Sequence, residues 1–171
     1  MKLIFLLLLP VVSFGQGKLD TISILDGKVK MLAPNELSSM TEEMWKLKYQ
    51  KNTRPILVLS DEDARVNLIA DMTQQPASED QISSIKDYQV QHLKSKRPDM
   101  NLLSDGVKTI NNRKVGFIKF VTEAIDQKVF NYYFFTIVDG KILFCSFNCI
   151  EKLQKKWEST ADKIVESIQI K

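Results

Sequence analysis

Cys145 and Cys149 stand four apart in ILFCSFNCIEKLQKKW and are the only cysteines of this 171-residue chain. Such a pair can form a disulfide, act as a reactive or metal-binding thiol pair, or fill a core as two small side chains. Asn148 followed by Glu151 reads as a helix cap with its N3 partner. That places Cys145 in a strand and Cys149 at the first helical position, where a thiol's pKa is lowered. Four residues of continuous strand span about 13 Å, whereas bridged Cα atoms lie within about 7 Å. A Cys145–Cys149 disulfide therefore needs the chain to fold back at the strand-to-helix junction. Alternation sets Leu143, Cys145 and Phe147 on one face of a strand that is apolar on both faces, which favours core packing for Cys145. All three thiol chemistries stay open to the sequence.

The remaining reactive types are sparse. His92 is the single histidine, so a triad has one possible base; beside Leu93 on a helix stripe it reads as a boundary residue. The six glycines form neither Gly-x-Gly-x-x-Gly nor a Walker loop, so no nucleotide cofactor is expected. Asp61, Glu62 and Asp63 could hold a hard cation, but the 12-residue calcium-loop pattern is absent and the run reads as a charged hairpin tip. Trp45 and Tyr49 share a helix face and are either core or an aromatic interaction surface beside Asp61. No catalytic, cofactor-binding or metal-ligating residue is assigned. The expected function is a non-enzymatic binding or accessory protein whose partner is another envelope protein or a small ligand. The alternative is a small envelope enzyme that uses carboxylates or the Cys149 thiol in a cleft.

The opening MKLIFLLLLPVVSFGQG supplies the cellular address. A basic Lys2, an apolar run from Leu3 to Val12, and Ser13 and Gly15 at the minus-three and minus-one positions make a signal peptide over residues 1–15. The run is shorter than the ~20 apolar residues of a membrane span. A periplasmic or secreted mature chain starting at Gln16, with no transmembrane segment, is therefore expected. Residues 16–171 have the size of one domain, and a chain of that size can bury about two-thirds of its unfolded surface without disulfides or metal. Lys and Arg total 24 against 21 Asp and Glu, and clusters such as Lys94, Lys96, Arg97 and Lys152, Lys155, Lys156 sit on expected helix faces. No nucleic-acid partner is expected.

The elements that must position these groups follow from pattern. TISIL and VKMLAP read as strands around Asp26-Gly27. SSMTEEMWKLKYQ reads as a helix capped at Ser39 or Thr41. PILVLS and RVNLIADM flank the acidic turn as a hairpin. SEDQISSIKDYQVQHLKSKRP is a long helix with a Ser78/Gln81 capping box, a stripe of Ile82, Ile85, Tyr88 or Gln89, and Leu93, and a stop at Pro98. LLSDGVKTI, KVGFIKFVT, KVFNYYFFTIV and KILFCSFN form four strands; Asp139-Gly140 suits a type I′ turn. FNYYFFTIV is apolar on both alternating faces, which requires cover above and below the sheet. Ile150, Leu153, Trp157, Ala161, Ile164 and Ile168 form the stripe of a closing helix.

This order, with MLAPNELSSMTEEMWKLKY at 31–49, VNLIADMTQQPA at 66–77 and WESTADKIVESIQI at 157–170, resembles the PsbP-like superfamily. That group includes the photosystem subunit PsbP, Ran-binding Mog proteins and DcrB-type envelope proteins, and the resemblance is to its small exported bacterial members of unknown function. It covers nearly the whole mature chain. It implies an α+β fold, an antiparallel sheet of about six to seven strands flanked by helices on both faces. It carries over no catalytic residue, because members of one fold need share no function.

Overall fold

The computed structural model describes residues 17–49 and 53–171; the signal peptide and its cleavage point lie outside the described residues. In chain order the elements are β1 (Leu19–Ile24), β2 (Val29–Pro34), β3 (Ser38–Ser39), α1 (Glu42–Tyr49), β4 (Leu57–Ser60) and β5 (Val66–Pro76). There follow α2 (Ile82–Lys96), β6 (Asn101–Ile110), β7 (Arg113–Glu123), β8 (Lys128–Val138), β9 (Lys141–Ile150), α3 (Gln154–Glu166) and β10 (Gln169–Ile170). Seven strands form one antiparallel sheet in the order β3-β4-β5-β9-β8-β7-β6, and β1-β2-β10 form a second, smaller sheet. The fold is α+β with cover on both faces of the main sheet.

Local chemistry explains the joints. Asp139 and Gly140 have φ of 49° and 71°, and Asn111 and Asn112 have 47° and 63°, the left-handed values a type I′ hairpin requires. The Met44 N–H donates to Thr41 Oγ1 over 3.1 Å, so Thr41 caps α1. The Ser78 N–H donates to Gln81 Oε1 over 2.9 Å in a capping box that opens the turn before α2, and α2 stops just before Pro98.

One face of the main sheet is fully covered. Leu68, Tyr132, Phe134 and Phe147 pack there beneath α3, through Trp157, Ala161 and Ile164, and beneath Val29 and Met31 of the small sheet. Cover on the opposite face is divided. Ile82 and Val90 of α2 pack on Ile118, Phe120, Phe135 and Ile142, whereas Met40 and Trp45 pack on Val58 and Ala64 at the β4–β5 side. The Phe135 ring comes within 2.5 Å of where a Cβ on Gly116 would sit, so only glycine fits there.

Three local expectations are corrected. First, β9 runs on to Ile150, so Cys149 is a strand residue paired with Val66 and Phe130; the helix follows only after a 3-10 turn at Glu151–Leu153. Second, Val90 rather than Tyr88 completes the stripe of α2, and Tyr88 is exposed. Third, the chain ends in β10, which pairs with β2.

Candidate functional site: a groove on the open sheet face

Because α1 and α2 cover different parts of one sheet face, stretches of β5, β9 and β8 and the end of β7 are left uncovered between them. The result is a groove of about 1070 Å³ whose lining includes Trp45, Lys48, Tyr49, Ile69, Arg97, Thr122, Asn131, Tyr133, Phe144, Ser146 and Asn148. Its size is at the upper end for small-ligand sites.

Register builds the floor. Asn67 on β5 pairs with Asn148 on β9, which pairs with Asn131 on β8. One row along, Ile69, Ser146 and Tyr133 are likewise aligned. Asn67 Nδ2 donates to Asn148 Oδ1 over 2.9 Å and to the Ala64 carbonyl over 3.1 Å. Asn131 Nδ2 donates to Thr122 Oγ1 over 3.2 Å and to the Val129 carbonyl over 3.0 Å. Asn67 is fully buried, and Asn131, Ser146 and Thr122 are nearly so. Buried carboxamides in an otherwise apolar sheet are stable only when so paired.

The wall at the α1 end is aromatic. The Trp45 and Tyr49 rings stack at 4.4 Å between centroids. Burial pushes the Tyr49 hydroxyl up to about 12, with the Asn148 side chain pulling the other way. The Lys48 ammonium donates to the Ala64 carbonyl; desolvation lowers its pKa against the opposing pull of Asp61. At the other end Arg97 is held by Asp99 through bonds of 2.9 and 2.6 Å, and it also donates to the Glu123 carbonyl over 2.6 Å. Asp99 accepts the Glu123 N–H over 2.8 Å. Arg97, then that N–H, hold the Asp99 carboxyl far below the usual carboxylate range. This clamp fixes the start of the β7–β8 turn against the end of α2. Burial also raises the Tyr133 hydroxyl, so both groove tyrosines stay protonated at neutral pH and serve as hydrogen-bonding groups.

The singled-out residues fall into different places. Trp45 is 2% exposed and Tyr49 is half-buried, so of the two readings the core one describes them better: they are wall, with the indole in the core. The Asp61 carboxylate accepts the Val66 N–H over 2.9 Å and closes the β4–β5 turn; it is not a groove residue. Cys145 and Cys149 are free and buried among the core residues of the covered face, as two small packed side chains, and the helix-terminal placement of Cys149 is corrected to a strand one. Burial raises both thiols, Cys149 to about 12, the opposite of the lowered pKa that a reactive thiol needs. His92 stacks on Tyr88 at 5.9 Å on the exposed side of α2. Among the described residues no group of three His, Cys, Asp or Glu side chains is gathered to hold a metal, and no helix is long and apolar enough to cross a membrane.

Pattern singles out neither Asn67 nor Asn131, and it reads Asn148 as a helix cap rather than as part of a sheet floor. Their signal is a lone carboxamide inside each of the runs VNLIA, FNYYF and SFNCI, where an unpaired polar group is costly.

No family model and no curated protein sequence matches the chain. Solved structures do. The chain is similar to CyanoP, the cyanobacterial PsbP of Synechocystis, at 13% identity with a TM-score of 0.64, over 96% of this chain and 99% of that one. It is similar to LpqN of Mycobacterium tuberculosis, a protein involved in cell envelope biogenesis, at 9% identity with a TM-score of 0.60, over 90% of each chain. A protein of unknown function from Pseudomonas aeruginosa matches at 10% identity with a TM-score of 0.54, over 88% of this chain and 95% of that one. At these identities the likeness is one of fold, and the fold is PsbP-like.

Proposed function

We propose that this chain is an exported, non-catalytic binding or accessory protein of the bacterial cell envelope, and that it holds its partner in the groove between α1 and α2. The observation that carries the reading is the divided cover of one sheet face. An apolar sheet face is normally buried against another element, yet here Ile69, Tyr133 and Phe144 stay half-buried beside the polar row at Ser146 and Asn148. Apolar area framed by a few fixed polar groups is what a binding site offers.

The signal-like opening supports export, and the envelope role of LpqN supports the envelope. The groove's tyrosines keep their protons, and the thiols face the covered side, so the polar groups of the floor serve recognition rather than acid–base or nucleophilic work.

The test is capture from envelope extract by the mature protein, wild type against Ser146→Trp, in which an indole fills the groove. Loss of capture with an unchanged melting temperature is the expected result. Equal capture by a folded variant would refute the groove as the site.

A further inference from the structure

We infer that the groove takes a short extended peptide segment of its partner, acidic toward α1 and basic toward the β7–β8 turn. This rests on the groove reading above and adds the chemistry of what is held.

The floor supplies the first argument. Asn148 spends its Oδ1 on Asn67, and Asn131 spends its Nδ2 on Thr122 and the Val129 carbonyl. Capacity remains in the complementary halves: one of the two N–H donors of the Asn148 amino group, the other being directed to the Tyr49 hydroxyl, and the Asn131 carbonyl oxygen. These residues are directly paired across β9 and β8. A donor and an acceptor side by side match the two polar groups of a peptide unit. An acyl chain would desolvate both and pair neither.

Length agrees. From β5 across β9 and β8 to β7 there are three strand spacings of about 4.8 Å, roughly 14 Å in all. An extended chain covers that distance with about four residues at ~3.3 Å each.

Charge gives the orientation. At the α1 end Arg65 is paired with Asp63, while the Lys48 ammonium donates to a backbone carbonyl and lies over the Tyr49 ring, with no carboxylate in ion-pair contact among the described residues. At the opposite end Arg97 is taken by Asp99, while the exposed carboxylates of Glu123 and Asp126 have no ion-pair partner among the described residues. Asp71 lies four residues along β5 from the asparagine row, about 13 Å away. The groove across that row is thus positive at one end and negative at the other.

The probe is an acetylated, amidated tetrapeptide, Glu-Ser-Val-Lys, titrated into ¹⁵N-labelled mature protein up to millimolar concentration, with blocked tetra-alanine and a neutral oligosaccharide as comparisons. Saturable amide shifts at Asn131, Ser146 and Asn148, stronger for the charged peptide, are expected. Exchanging the end charges in Lys48→Glu/Glu123→Lys should leave binding of the uncharged tetra-alanine nearly unchanged. For the charged peptide it should weaken binding several-fold in low salt, because rim charges act through solvent; the ¹⁵N spectrum of the variant establishes that it is folded. No peptide shifts in the groove, shifts with the oligosaccharide alone, or a charged-peptide affinity indifferent to the double reversal would overturn the inference. If the wild type still captures an envelope partner that Ser146→Trp loses, such a failure leaves the groove reading standing.

Discussion

The carboxamide of Asn67 on β5 donates to Oδ1 of Asn148 on β9 over 2.9 Å, joining residues 81 apart in sequence. The bond ties two neighbouring strands of the groove floor, and it occupies the carbonyl half of Asn148. Asn67→Ala removes this bond and the one to the Ala64 carbonyl. The expected cost is about 1–3 kcal/mol, because the partners left behind are desolvated. Urea unfolding of Asn67→Ala, Asn148→Ala and the double variant gives the coupling between them, expected at about 0.5–1.5 kcal/mol. A coupling of zero would mean that the two side chains do not act as a pair.

Both tryptophans are buried in the core. Trp157 is 5% exposed and lies 6.0 Å from the Phe147 ring, so Trp157→Ala should cost ~3–5 kcal/mol. Trp45→Ala should also destabilise the fold through its buried indole. Leu47, by contrast, is 73% exposed on the groove's lip. Leu47→Ser should leave the melting temperature nearly unchanged while weakening partner capture. A Trp157→Ala loss under ~1 kcal/mol would contradict the packing of α3 on the sheet.

Burial of Cys145 and Cys149 has a chemical consequence. In the native state both thiols should resist alkylation at neutral pH, while in denaturant without reductant both should react, as measured by intact mass. Failure of either to label after unfolding would reveal a disulfide. Rapid native labelling of Cys149 would restore it as a reactive thiol.

Asp99 predicts a pH signature. Its carboxyl is depressed in the folded state by Arg97 and the Glu123 N–H, so the unfolded chain binds its proton more readily. The stabilisation is present above the ordinary aspartate value of about 4 and is lost as pH falls through that value toward the depressed one. The melting-temperature gap between wild type and Asp99→Asn should therefore be widest near neutrality and narrow with acid. A gap that is independent of pH would remove the clamp as its cause.

Pattern carried the elements further than the site. Asp139-Gly140, the Ser78/Gln81 box and the Trp157 stripe are local signals, each readable within a few residues, and each positions an element where expected. The groove floor has no such signal: Asn67, Asn148 and Asn131 meet only through the register of β5, β9 and β8. Alternation says which residues of one strand share a face but not which strand lies beside it. Asn148 and Glu151 formed a plausible local cap, yet pairing of Cys149 with Val66 and Phe130 prolongs the strand past it. At two residues, β10 is too short for any periodicity to mark it.

Site-specific photocrosslinking of the exported protein in intact envelopes tests the central claim most directly. A photoreactive residue is placed at Phe144 on the groove floor, at Leu47 on its lip, or at Lys155 on the outer side of α3, with each variant's melting temperature checked. Discrete adducts from Phe144 and Leu47 and none from Lys155 are the predicted result. Adducts from Lys155 alone, with both groove positions silent in folded protein, would contradict it.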